Sequence, residues 1–332
     1  MSEYDLSNIF RKKFISKGLK SLLKQVKKND LEISLAIMLG DEFQGTKDEI
    51  IDLFSVHHGL ILDNALKSFQ TELFDFIYKI IDHGGEIEFK NIDPGYAILL
   101  KIYLIAFPVI KDNKNKLVMS NEVMDYFLRI DIKHWRKEIQ LNDLVIHYAR
   151  GLLNYYGAYE ANMIFKYIKE YESIDLNMEE FYVLLNNDSL IYGYDIKDEV
   201  IYYYQINEIT HFYDNRNKYK ELDYYHLTKD QILNPDEITD FDQEIIDFYE
   251  HQLEMPEAMA QHGLYLLKDS ILFEVPLPEI KGMLKQLHIN GYQLKQLEKL
   301  VEKLSLNTRL WSLKGHTKNE ISIPKMIRFP KR

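Results

Sequence analysis

This 332-residue sequence predicts a mainly α fold of the α+β class, a helical bundle with two winged-helix-like modules that each carry a short β-hairpin. Three observations predict it. Apolar residues recur every three or four positions along most of the chain, as in FRKKFISKGLKSLLKQV (10–26) and GYQLKQLEKLVEKLSL (291–306), which lines up one face of a helix. Two stretches break that period: PVIKDNKNKLVM (108–119) and LIYGYDIKDEVIYYY (190–204), where apolar, β-branched and aromatic residues flank a polar turn. Each reads as a hairpin, and each follows two or three helical patterns.

Taken in order, the first element is an amphipathic basic helix over Phe10–Val26. Thr46 and Glu49 in TKDEIIDLF form a capping box that starts a second helix, and DHGG (82–85) closes a later one, since glycine accepts the left-handed conformation at a helix end. DPGYAILLKIYLIAF (93–107) leads into the first hairpin. In the second module the order is plainer: NDLVIHYARGLLNYYG (142–157) closed by Gly157, then AYEANMIFKYIKEY (158–171), NMEEFYVLLNND (177–188) and the second hairpin. Helices return after Gln205, with turns at Asn234-Pro235 and Met255-Pro256. The divisions expected are a helical N-terminal domain over 1–130 with a winged-helix-like end, a second module over 131–206, and a helical C-terminal domain over 207–332 with a basic tail.

Absence of cysteine excludes disulfides, thiol catalysis and thiolate zinc sites. The most apolar run, YAILLKIYLIAFPVI (96–110), is interrupted by Lys101 and Pro108 and is too short to cross a bilayer, so a cytoplasmic protein with no membrane partner is expected. Abundant Lys, Asn, Ile and Tyr suggest an AT-rich bacterial or mobile-element genome. The net charge is −11, unevenly spread: 24 acidic against 6 basic residues over 172–274, but 8 basic against 2 acidic over 1–28 and 7 against 1 over 305–332. The basic ends either dock on an acidic body or contact phosphate.

No phosphate-binding glycine loop, nucleophile elbow or kinase signature occurs. The histidines are scattered without metal-ligand spacing, and the acidic string Asp236, Glu237, Asp240, Asp242, Glu244 lacks the glycine of a calcium loop, so no cofactor is expected. HFYDNRNKY (211–219) combines an imidazole, an acid and a base, which would serve acid–base chemistry in a cleft and equally describes a polar helix end. A DNA-reading helix needs Arg, Lys, Asn or Gln toward the bases, yet 177–188 carries Glu179, Glu180 and Asp188 and no basic residue. The first module offers Lys101 within its helix and Lys111, Lys114 and Lys116 on its wing, which could touch phosphate but hardly read sequence. The clustered tyrosines (155–156, 202–204, 224–225) suit packing better than base stacking.

NTRLWSLKGHTKNEIS (307–322), together with YYGAYEANMIFKYI, MEEFYVLL and IYYY upstream, resembles a group of largely uncharacterised proteins of low-GC Gram-positive bacteria and their mobile elements. Many of that group carry a C-terminal SEC-C zinc motif. Here the chain has no cysteine, so the resemblance implies a helical, winged-helix-containing body and no zinc function or reaction. Within this stretch Leu310, Trp311 and Leu313 would present one apolar edge on a continuing helix that Gly315 ends, making a clasp. The other possibility is an exposed anchor with Arg309, Trp311, Lys314 and His316 as the site. The sequence therefore points to a non-enzymatic, protein-binding adaptor or regulatory protein. The alternatives are a nucleic-acid-binding regulator that uses the basic N-terminal helix, first wing and tail, and a novel metal-dependent hydrolase or nuclease.

Overall fold

At Lys13 a β-bridge stands where the apolar spacing of 10–26 predicts a helix. In the computed structural model, which describes residues 10, 12–40, 43, 45–90, 92–206, 209–287 and 289–322, Lys13 bridges Ile110 in parallel. The Ile110 amide donates to Lys12 O at 2.8 Å, and the Phe14 amide to Ile110 O at 3.0 Å. Among the described residues of 10–26 only α1 (Leu19–Leu23) is helical. A neighbouring strand edge offers more than local helix propensity can, because propensity is worth only tenths of a kcal/mol per residue.

The chain forms two compact units, Met1–Ala149 with Ala161–Glu199, and Arg150–Glu160 with Val200–Arg332. The boundaries expected at 130 and 206 do not mark this division; the cut at 130 falls inside the first unit.

In the first unit α3 (Lys47–Leu66) packs on α1 and on α2 (Lys28–Leu39), and the Thr46–Glu49 capping box starts α3 as its sequence predicts. α4 (Thr71–Asp82), β1 (Glu86–Glu88), α5 (Pro94–Ile102), β2 (Ala106–Lys111) and β3 (Lys114–Met119) make the first module. Its sheet is antiparallel with order β1-β3-β2, Ile87 facing Leu117 and Pro108 also facing Leu117 from the other side. Asp112 and Asn113 have φ of 55° and 58°, so the hairpin closes through a two-residue turn with both residues left-handed, the geometry that matches strand twist. β1 is absent from the sequence-based expectation. α6 (Asn121–Phe127) is started by Ser120, whose hydroxyl accepts from the Val123 amide.

α7 (Ile132–Tyr156) ends at Gly157, with φ of 70°. The next three residues are not the start of a helix as expected but β4 (Ala158–Glu160), which pairs antiparallel with β6 (Val200–Tyr203), Tyr159 facing Ile201. Between them lie α8 (Ala161–Tyr171), α9 (Met178–Ser189) and β5 (Tyr194–Lys197), and the sheet order is β4-β6-β5. Helix, strand, two helices and two strands is the winged-helix order. In the first unit the side chain of Asn187 on α9 is used internally: it donates to Ser68 O at 3.0 Å and accepts from Tyr103 Oη at 2.9 Å.

The second unit continues with α10 (Ile209–Asn217), α11 (Lys229–Leu233), α12 (Asp240–Gln252), α13 (Glu257–Leu272), α14 (Leu277–Leu284), α15 (Gly291–Asn307) and α16 (Lys318–Ser322). Its core joins Ile245, Phe248, Leu264, Leu297 and Val301 to Leu310 and Leu313 of the C-terminal stretch. No helix among the described residues is long and apolar enough to cross a membrane.

Candidate functional site

The C-terminal stretch does not continue α15. Thr308 turns extended, with φ −74° and ψ 134°, and Arg309 then bridges Thr317 antiparallel, so residues 309–317 form a closed loop. The Leu310 amide donates to His316 O at 3.0 Å, and the Gly315 amide donates to Leu310 O at 3.0 Å. The apolar edge expected of Leu310, Trp311 and Leu313 is present and buried, although a loop rather than a helix presents it.

The four residues nominated here come together, and each turns inward. Trp311 is 6% exposed; its indole Nε1 donates to Asn154 O at 2.8 Å, its ring stacks on Tyr203 and meets the edge of Phe273. A Cβ on Gly157 would sit 2.4 Å from the Trp311 ring, so the indole lies against bare backbone. Arg309 stacks 3.5 Å from the Tyr225 ring centre and donates to Gly315 O and Glu320. Lys314 Nζ donates to Leu222 O at 2.6 Å, and His316 Nε2 lies 3.1 Å from Asp223 O. Gly315, at φ 82°, leaves no room for a side chain beside Tyr156.

Beneath the loop lies a residue that sequence reasoning weighed only as part of a polar helix end. Arg216 on α10 is 2% exposed, and all five of its N–H bonds find acceptors. Nε and Nη2 donate to Trp311 O at 3.3 and 3.1 Å, Nη1 to Ala158 O at 2.9 Å and Tyr224 Oη at 3.0 Å, and Nη2 also to Tyr156 O. The Phe212 ring covers the guanidinium, 4.4 Å from its centroid. Burial pushes the guanidinium below its ordinary value. No carboxylate among the described residues is ion-paired with it, so carbonyl dipoles stand in for a counter-ion. Tyr224 meets Tyr156 and Tyr159 edge to face around this point, and Tyr156 and Tyr159 are tilted at 49° to each other.

The first-wing lysines form a separate cluster in the first unit, and acidic partners occupy them. Glu86 on β1 accepts from Lys111 at 2.5 Å and Lys116 at 3.1 Å, with Lys17 3.6 Å away, and Glu88 accepts from Lys114 at 2.7 Å. Lysine hydrogen bonds hold the Glu86 carboxyl down at about 2, against an ordinary 4.5. A depressed carboxylate favours the native state above about pH 4.5 and loses that contribution as pH falls toward about 2. Urea midpoints measured at pH 5 and pH 3 should therefore converge in Glu86→Gln relative to the native protein, in which the pH 3 midpoint is the lower.

A surface that the sequence reading passed over lies on α12 and α13 of the second unit. α13 buries Ala260, Leu264, Leu267 and Ile271, yet on other faces it exposes Met259 at 60% and Leu266 at 52%. Met259 borders a recess of about 370 Å³ lined by Tyr249, Met255, Ala258, His262, Gly263 and Leu287. A second recess, of about 480 Å³, shares Met255 and adds Ile238, Glu250 and Glu257. Neither lining contains Lys or Arg. A second apolar stripe on one helix was the available signal.

Among the described residues no group of three or more His, Asp or Glu is placed to hold a metal. No protein-family model, curated protein or solved structure matches this chain.

Proposed function

We infer that the chain is a non-enzymatic protein-binding protein, adaptor or regulatory in role, and that the α12–α13 face of its second unit receives a basic amphipathic helix. The observation that carries this is the pair of adjoining recesses around Met255, apolar on one side and bearing Glu250 and Glu257 on the other, with Met259 exposed between solvent and groove. Methionine side chains repack around varied apolar anchors, and the carboxylates favour a partner helix flanked by Lys or Arg. The winged-helix-like modules then act as scaffold, in keeping with the acidic α9 and with Asn187 engaged inside the fold.

A photo-crosslinking residue at Met259 tests this in the native host. A discrete protein adduct is expected, lost in Glu250→Lys/Glu257→Lys and regained with a partner of reversed charge. An absence of adducts, together with hydrolase activity of the purified chain, would overturn it. The nucleic-acid reading has weaker support, because Glu86 and Glu88 occupy the wing lysines. No observation favours a metal-dependent hydrolase.

A further inference from the structure

A groove of about 410 Å³ lies in the second unit where the end of α13, the α13–α14 connection, the last turns of α15 and the start of α16 meet. Val275, Pro276, Leu277 and Leu306 supply apolar walls, and Leu306 is 42% exposed. The volume is that of about fourteen waters at about 30 Å³ each, which no single side chain fills. Ile271, which lines the groove, follows Met259 by twelve residues on α13, about 18 Å of helix rise, so this site is separate from the protein-binding face and does not rest on it.

Its charge favours a basic occupant. The lining holds two carboxylates, Glu274 and Glu302, against one cation, Lys318. The Glu274 side chain makes no hydrogen bond or ion pair with any described residue, and Glu302 accepts from Lys281 through one oxygen only. Both carboxylates therefore keep accepting capacity toward a ligand.

A segment of matching chemistry starts at the groove. The described residues end at Ser322, the last residue of α16, and the basic tail IPKMIRFPKR (323–332) lies outside them. It carries Lys325, Arg328, Lys331 and Arg332 with no acidic residue, interleaved with Ile323, Met326, Ile327 and Phe329. Pro324 and Pro330 disfavour helix and suit an extended run. Lys318 lines the groove only four residues before Ser322, about 6 Å of helix rise, and ten extended residues reach about 33 Å.

We propose that residues 323–332 dock in this groove of their own chain. Ile327 and its apolar neighbours cover Val275, Leu277 and Leu306, while Lys325 and Arg328 pair with Glu274 and Glu302. A tethered segment meets its site at an effective concentration in the millimolar range, so contacts too weak to hold a free peptide suffice. The basic tail then prolongs the clasp over 309–317 instead of contacting phosphate.

The natural chain has no cysteine, so introduced pairs report proximity without background. In the full chain, Leu306→Cys/Ile327→Cys should form an intrachain disulfide under mild oxidation on the order of tenfold faster than Met259→Cys/Ile327→Cys, because docking raises the local concentration at the groove alone. Leu277→Cys/Ile327→Cys should behave like the Leu306 pair, which guards against a folding defect in either variant, and peptide mapping identifies each product. Glu274→Lys should slow closure at the groove severalfold, and adding Lys325→Glu/Arg328→Glu should restore it. Raised salt should slow it too, since the pairs are exposed to screening. Faster closure with Met259→Cys would place the tail on the α12–α13 face, and disulfides formed only between chains, at rates rising with protein concentration, would make the occupant a second copy's tail. Either result overturns docking within the chain, as would closure rates that are equal for all pairs and indifferent to Glu274→Lys.

Discussion

Trp311→Ala should lower the stability of the second unit by about 3–5 kcal/mol, the range for truncating a buried tryptophan. The loss has three sources in the contacts around the indole. Stacking on Tyr203 and the edge contact with Phe273 disappear, the Asn154 carbonyl loses its donor, and a cavity opens against Gly157, which has no side chain to move into it. Trp311→Phe should recover about half of the loss, since it restores ring contact but not the N–H. Urea unfolding followed by tryptophan-independent far-UV circular dichroism reads both, and limited proteolysis should show earlier cleavage within 309–317. Unchanged stability in Trp311→Ala with loss of a partner would instead make Trp311 an exposed anchor, contrary to its burial.

Helices were legible because their signals are local. The capping box at Thr46 and Glu49, the left-handed closure at Gly157 and the apolar period of α15 each lie within a few residues. The two hairpins were legible for the same reason, through turns at Asp112-Asn113 and Asp198-Glu199 whose residues adopt positive φ. β1 and β4 were not, since three residues such as Glu-Ile-Glu or Ala-Tyr-Glu carry too little alternation to stand out and gain their pairing from β3 and β6. The Phe10–Val26 stretch has a helical period, but the strand edge of β2 decides the conformation at Lys13.

The candidate site shows the same limit in terms of charge. Lys111, Lys114 and Lys116 read as a free basic wing because Glu86 and Glu88, more than twenty residues earlier, become their partners only through the β1–β3 pairing. Likewise nothing near Trp311 in sequence announces Arg216, 95 residues upstream. The recesses around Met255 form where α12 and α13 meet, so the helical pattern showed which residues were apolar but not that some would remain uncovered.

Arg216→Met should be as damaging as Trp311→Ala, although it replaces a buried charge with an apolar side chain of similar length. Exchanging a buried ion pair for hydrocarbon is often neutral because both charged partners leave together. At Arg216 they cannot, since the acceptors are the main-chain carbonyls of Tyr156, Ala158 and Trp311. Each carbonyl left buried without a donor costs about 1–3 kcal/mol, and recovery of the guanidinium's desolvation penalty offsets part of that sum. A net loss of about 3–5 kcal/mol is expected. Arg216→Lys should rescue little, because one ammonium has three donors on a single atom and cannot span carbonyls approached from Nε, Nη1 and Nη2. The loss should be the same at about pH 6 and pH 9, since arginine stays charged across that interval despite its burial. Because Arg216 holds the backbone of residue 311 while the indole of Trp311 holds the neighbouring surface, the two substitutions act on one cooperative loop. The double variant should then fall short of the summed single losses by about 1 kcal/mol or more. Strict additivity in urea unfolding would show that the guanidinium and the indole secure the chain separately, and that the loop over 309–317 is not a single clasp.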